Sequence, residues 1–253
     1  MTSRQIIWQS ATQRNALTDA AVDVWRASLN QESSTTRALF LTLTPDERER
    51  ASRFHFQKDR EHFIVARGVL RDILGRYLDT SPARIRFSYN QYGKPALAQD
   101  DGADALRFNI SHAHEVALYG FTRGRDIGLD IEFVREDFAS LEIAERFFST
   151  DEVSMLRTLP ASEQTVAFFN CWTRKEAFIK ALGEGLSHPL DRFSVSFVPG
   201  EPAALLSTAD APQEASRWSL VELAPGAGYV AALAVEGHAT EISLWDWHDL
   251  QPR

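Results

Sequence analysis

Two stretches of this chain, 108 residues apart, carry matching residues in the same order: Leu74-Gly75, Leu78, Arg84, Ile85, Phe87 and Ser88 fall on Leu182-Gly183, Leu186, Arg192, Phe193, Val195 and Ser196 without a gap. Both read as a helix end, a connector and a strand, so the repeat implies a duplicated unit packed as two pseudo-symmetric halves. The expected architecture is α+β, a pseudo-dimer of two similar α+β halves at residues 1–124 and 125–253, divided near Thr122-Arg123-Gly124. A cleft between such halves is a natural place for a ligand. The 253 residues suffice for one large core or two modest ones.

Element signals fill in this outline. Residues 45–78 are predicted helical, entered at Pro45 with Asp46 and Glu47 in the first turn and broken near 54–59. Strands are predicted at 85–87, 106–110, 116–121 and 127–134, with a turn at 91–95. The second half reads as helices at 141–148, 151–158 and 163–182, followed by strands at 192–198, 216–223, 228–235 and 240–247. The first 40 or so residues offer no usable motif.

Charge and composition narrow the function. Against 27 Lys and Arg stand 35 Asp and Glu, a net charge of −8, the reverse of what a general nucleic-acid binder needs. Any phosphate site is therefore local. No apolar run approaches the ~20 residues that cross a bilayer, and the N-terminus lacks the uninterrupted apolar stretch of a secretory signal. A cytoplasmic protein without membrane partners is expected. The single cysteine, Cys171, can form no internal disulfide and reads as a buried thiol.

Three short segments carry chemistry. In Ile127-Gly128-Leu129-Asp130-Ile131-Glu132-Phe133 the two-residue period puts Gly128, Asp130 and Glu132 on one strand face. Carboxylates about 7 Å apart along a strand repel unless a cation lies between them, and hard oxygens suit Mg²⁺ or Mn²⁺. Gly128 would leave room for a bulky anion, and a solvated strand face is the plain alternative. In Trp172-Thr173-Arg174-Lys175-Glu176-Ala177-Phe178-Ile179-Lys180, Glu176 falls within an apolar helix face and needs compensation. Either Lys180, one turn on, supplies it, or a metal shared with Asp130 and Glu132 does, leaving Lys175 and Lys180 for an anion. In Phe108-Asn109-Ile110-Ser111-His112, Ser111 and His112 could bind a phosphate from a turn or satisfy local backbone groups. Gly93-Lys94-Pro95 presents one further cation. No G-x-S-x-G, G-x-G-x-x-G or Walker loop is present.

Taken in order, Gly93-Lys94-Pro95, FNISH at 108–112, GLDIE at 128–132 and WTRKEAFIKALGEGL at 172–186 closely resemble the Sfp-type 4′-phosphopantetheinyl transferases, over about residues 45–198. The resemblance implies that family's two-halved fold, with coenzyme A as co-substrate between the halves. It implies an enzyme moving 4′-phosphopantetheine from coenzyme A to a serine of an apo acyl or peptidyl carrier protein, releasing 3′,5′-adenosine bisphosphate. By the same resemblance Asp130, Glu132 and Glu176 hold Mg²⁺, Glu176 activates the carrier serine directly or through water, and Lys180 assists the departing nucleotide. Ser111, His112, Lys94 and Arg50 match positions at the 3′-phosphate and adenine end. His62 stands where the best-known member has a basic residue and Arg67 where it has an acid, so the phosphate clamp is expected to shift onto Arg60 or Arg67. Members resembling this chain often act as monomers. At the offset of 108, Glu176 falls on Gly68 and Lys180 on Asp72, which implies one active site per chain. An acidic carrier would dock on Arg123, Arg125 and exposed apolar residues of 138–160. The same residues also admit a metal-dependent phosphohydrolase, or a binder of coenzyme A or carrier that performs no transfer.

Overall fold

The computed structural model describes residues 7–10, 17–98, 106–209, 211–238 and 241–248. The first half contains β1 (Gln9–Ser10), β2 (Ala21–Ser28), α1 (Ser33–Thr42), α2 (Pro45–Ser52), α3 (Gln57–Leu78), the hairpin β3 (Phe87–Tyr89) and β4 (Pro95–Leu97), then β5 (Leu106–Ala113) and β6 (Val116–Arg123). The second contains β7 (Ile127–Phe133), α4 (Leu141–Phe147), α5 (Thr150–Thr158), α6 (Ala161–Leu182), the hairpin β8 (Phe193–Val195) and β9 (Leu205–Thr208), then β10 (Trp218–Leu223), β11 (Tyr229–Glu236) and β12 (Glu241–Asp246). Among the described residues the predicted break in the first long helix lies between Ser52 and Gln57. Strand β2, helix α1 and strand β9 were not anticipated, and β3 begins at Phe87 because Ile85 closes a 3₁₀ turn and is itself buried core.

The duplication is visible in topology and in atoms. Strand orders β5-β6-β2 and β10-β11-β7 are equivalent, and each half places a 22-residue helix, ended by a left-handed residue, before a short hairpin. On α3, Arg71 donates to the carbonyls of Pro82 and Ile85; on α6, Lys175 donates to those of Leu190 and Phe193. Each of these cations also pairs with the glutamate that closes a capping box on the preceding short helix: Glu47 after Thr44, and Glu152 after Ser149. The helices therefore correspond at an offset of 104 and the connectors at 108. That corrects the gapless match: Leu74-Gly75 lies inside α3, whereas Leu182-Gly183 ends α6, and the insertion falls between Gly183 and Leu190.

The line between 124 and 125 falls between β6 and β7, but β12 crosses back. It lies parallel to β2 and extends the first sheet to β1-β12-β2-β6-β5. One core lies between α3 and that sheet, a second between α6 and β10-β11-β7, and a third joins the sheets through Val22, Val24, Leu118, Ile127, Leu129, Ile131 and Leu233. Helix α6 rides directly on β7 at Gly128, where a Cβ would lie 2.0 Å from the Ala177 carbonyl oxygen and 2.4 Å from the Ala181 nitrogen. The room that Gly128 leaves is thus filled by helix backbone, not by a ligand.

Candidate active site

The close approach of α6 to β7 delivers Glu176 and Lys180 over the strand face that carries Asp130 and Glu132. Asp130 is 4% exposed, and its Oδ1 accepts from Lys180 Nζ at 2.5 Å and from the Ser111 hydroxyl at 3.1 Å. Lys180 also reaches Ser111 Oγ at 3.1 Å. Lys180 therefore bonds Asp130, across the seam between elements, and not Glu176 one turn earlier. The second oxygen of Asp130, Oδ2, is buried with no hydrogen-bond partner.

The acids feel one another. Burial, reinforced by the charge of Asp130, pushes the Glu176 carboxyl up to about 7, with Lys180 opposing. Burial also raises Asp130 against the pull of Lys180, and burial followed by Asp130 raises Glu132. Three carboxylates facing one ammonium, with an orphaned buried oxygen among them, are a donor set suited to a hard divalent cation. Among the described residues no three His, Cys, Asp or Glu side chains form a ready-made metal-holding group.

On the other face of β5 a cleft of about 700 Å³ opens, lined by Arg50, Phe54, His62, Phe63, Arg67, Tyr89 and His112, with Gly93 and Pro95 at its edge. Arg50 lies over the Phe63 ring at 5.3 Å and enters no ion pair among the described residues. Surrounding protein depresses the pKa of His112, and Lys180 and then His62 depress it further. Ser111, which Lys180 touches, adjoins His112 in β5, so the acid cluster and the cleft lie on the two faces of one strand.

Several anticipated site residues serve other ends. Lys175 is fully buried, paired with Glu152 at 2.7 Å and donating to two carbonyls, so it offers nothing to a ligand. The Lys94 ammonium donates to Ile127 O at 3.2 Å and Ala181 O at 3.0 Å, capping α6 across the seam; its neighbours Gly93 and Pro95 reach the cleft, but its charge does not line it. Arg67 lines the cleft, yet its guanidinium bonds Glu47 and Tyr89, both at 2.5 Å, and lies 3.9 Å over Phe87. Arg123 donates to Leu17 O, and Arg125 to the carbonyls of Ala21, Glu236 and His238, so neither is free to receive a carrier. Ser111 and His112 lie inside β5 and not in a turn, and strand alternation sends them to opposite sides. At the structural offset of 104, Glu176 corresponds to Asp72 and Lys180 to Arg76, not to Gly68 and Asp72. This ion pair is capped by the Trp247 indole, which donates to Asp72 at 2.7 Å, while Trp245 donates to Asp23 at 3.1 Å.

A sequence model of the 4′-phosphopantetheinyl transferase superfamily matches residues 126–234, and one described as 4′-phosphopantetheinyl transferase, N-terminal, matches residues 24–120. The chain is 37% identical over 243 residues to 4′-phosphopantetheinyl transferase HetI of Nostoc sp., covering 96% of this chain and 99% of that protein. It is 40% identical over 167 residues to 4′-phosphopantetheinyl transferase Sfp of Bacillus subtilis, covering 66% and 71%. The solved holo-[acyl-carrier-protein] synthase (AcpS) of Thermotoga maritima overlaps 44% of this chain and 62% of its own at 21% identity and a TM-score of 0.35, too slight a likeness to bear on the fold.

Proposed function

Because the chain belongs to the 4′-phosphopantetheinyl transferase superfamily, we propose that the acid cluster at the seam transfers 4′-phosphopantetheine from coenzyme A to the serine of an apo acyl or peptidyl carrier protein. The observation that carries this reading is the convergence of Asp130, Glu132, Glu176 and Lys180 from a strand and a helix, with Asp130 Oδ2 buried and unpartnered. When held by Asp130, Glu132 and Glu176, a Mg²⁺ or Mn²⁺ ion supplies neutralisation of charge gathering on a diphosphate as its bond breaks.

The chain's own groups do the rest. Glu176, which the helix sets beside Asp130 and Lys180, takes the serine proton, directly or through water. The serine oxygen bonds to the phosphorus that carries pantetheine, and the diphosphate bond breaks to release 3′,5′-adenosine bisphosphate. Lys180, 30% exposed and bonded to Asp130, holds or protonates the leaving phosphate. Arg50 and His112 receive the 3′-phosphate and adenine end in the cleft, and Ser111 holds Asp130 and Lys180 together. Both halves of one chain complete the site, which supports a monomeric enzyme, and the free, buried Cys171 is consistent with the cytoplasm. Among the described residues no helix is long and apolar enough to cross a membrane.

The test is incubation with coenzyme A, Mg²⁺ and several apo-carriers, with the carriers weighed by mass spectrometry. Each true partner gains one phosphopantetheine mass, and no gain on any carrier overturns the reading. Glu176→Gln is expected to lower kcat by about 10²–10⁴-fold while coenzyme A binding persists; an unchanged rate removes Glu176 from the mechanism.

A further inference from the structure

Strand β7 is the edge of its sheet and faces β5, the edge of the other, yet side chains of the first half supply the bonds between them. At two-residue steps along β7, Lys94 Nζ donates to Ile127 O at 3.2 Å, Asn109 Oδ1 accepts from Leu129 N at 2.9 Å, and Ser111 Oγ accepts from Ile131 N at 3.3 Å. These three residues form a side-chain ladder in the place of a main-chain one. Ser111 also touches Asp130 and Lys180, and Lys94 also caps α6. Asn109 is 6% exposed and, by strand alternation, lies on the side of β5 away from His112 and the cleft.

We propose that Asn109 is a positioning residue for the reaction: its carboxamide oxygen sets the distance between β7 and β5 at Leu129 and so delivers the next side chain, Asp130, to Ser111 and Lys180. The proposal rests on reading Asp130 as part of the active site. Without this acceptor, the side-chain ladder among the described residues keeps its main-chain bonds at Ile127 and Ile131 alone, and the carboxylate loses register with a helix and a strand that stay in place.

Asn109→Leu removes the acceptor at similar volume, and Asn109→Asp restores an oxygen. In Asn109→Leu the Leu129 amide is expected to exchange with deuterium at least about tenfold faster, while Leu233 within β11 keeps its rate. Mn²⁺ binding without any carrier weakens about tenfold, and kcat falls at least about tenfold with KM for coenzyme A within about twofold, since misplacement acts on the reacting geometry. Asn109→Asp recovers most of each. Should Asn109→Leu fail to fold, Asn109→Ala, which has no side-chain acceptor, gives the same exchange reading. Unchanged Leu129 exchange, or equal losses with Asp and Leu, overturns the proposal. Exchange and Mn²⁺ binding read the ladder even if the wild type transfers to no carrier, so that failure would fall on the proposed function alone.

Discussion

Lys175 and Lys180 share α6 and differ in fate because of what the fold sets against each. Lys175 meets Glu152 in the core, and removing one partner of a buried pair strands the other charge. Lys175→Met is therefore expected to lower stability by about 3–5 kcal/mol in urea unfolding. Its counterpart Arg71→Met should cost less, because Glu47 keeps its bond to Arg67. Nothing in a Lys-Glu-x-x-x-Lys pattern separates a core cation from a site cation, so the fate of Lys175 was illegible until α5 and the carbonyls of Leu190 and Phe193 were in place. Asp130, Glu132 and Glu176 were legible because strand alternation and an acid on an apolar helix face are local signals. The pH dependence belongs to Glu176. Its folded pKa, about 7, lies above the ordinary 4.5, so the folded state prefers the protonated form, and that contribution is complete below 4.5 and lost as pH rises toward 7. Melting temperatures of metal-free protein should show this falling component between pH 4.5 and 7. Glu176→Gln should show a smaller one, left by Asp130 and Glu132, whose carboxyls burial also raises, and a divalent ion should offset it at pH 7.

At the level of elements, the packing of α6 on β7 has one tight point. A methyl at residue 128 meets helix backbone that cannot rotate away, so Gly128→Ala must lift α6 from the strand and carry Glu176 and Lys180 with it. We expect a loss of about 1–3 kcal/mol or more in stability, together with most of the transferase activity, measured on the same preparation. Most helices and long strands could be read from periodicity and caps: Thr44-x-x-Glu47 and Ser149-x-x-Glu152 both close as capping boxes. Strand β2 escaped notice because Val22, Val24, Trp25 and Ala27 are buried on both faces and show no alternation. Register was harder than existence. A Leu-Gly pair inside α3 imitated the one that ends α6, and only the hydrogen bonds of Arg71 and Lys175 reveal the insertion in the connector.

Across the whole molecule the halves are duplicated but not separable. Strand β12 belongs by sequence to the second half and by hydrogen bonding to the first, and the seam along β7 draws its partners from the turn before β4 and from β5. The fragments 1–124 and 125–253 are each expected to remain unfolded alone by circular dichroism and to recover helical signal when mixed. The intact chain should lose both halves in one denaturant transition. Two folded fragments, or two transitions, would contradict this interlock. The crossing of β12 was not readable from residues 240–247, which signal a strand without naming its neighbour.

The indoles of Trp245 and Trp247 rest on Asp23 and Asp72, on the mirror-image side of the pseudo-dimer. Repetition of the unit would by itself give two doorways. The tail bricks one of them up, since the first half keeps an acid and a base, Asp72 and Arg76, at the places of Glu176 and Lys180, and an indole is stoppered against the pair.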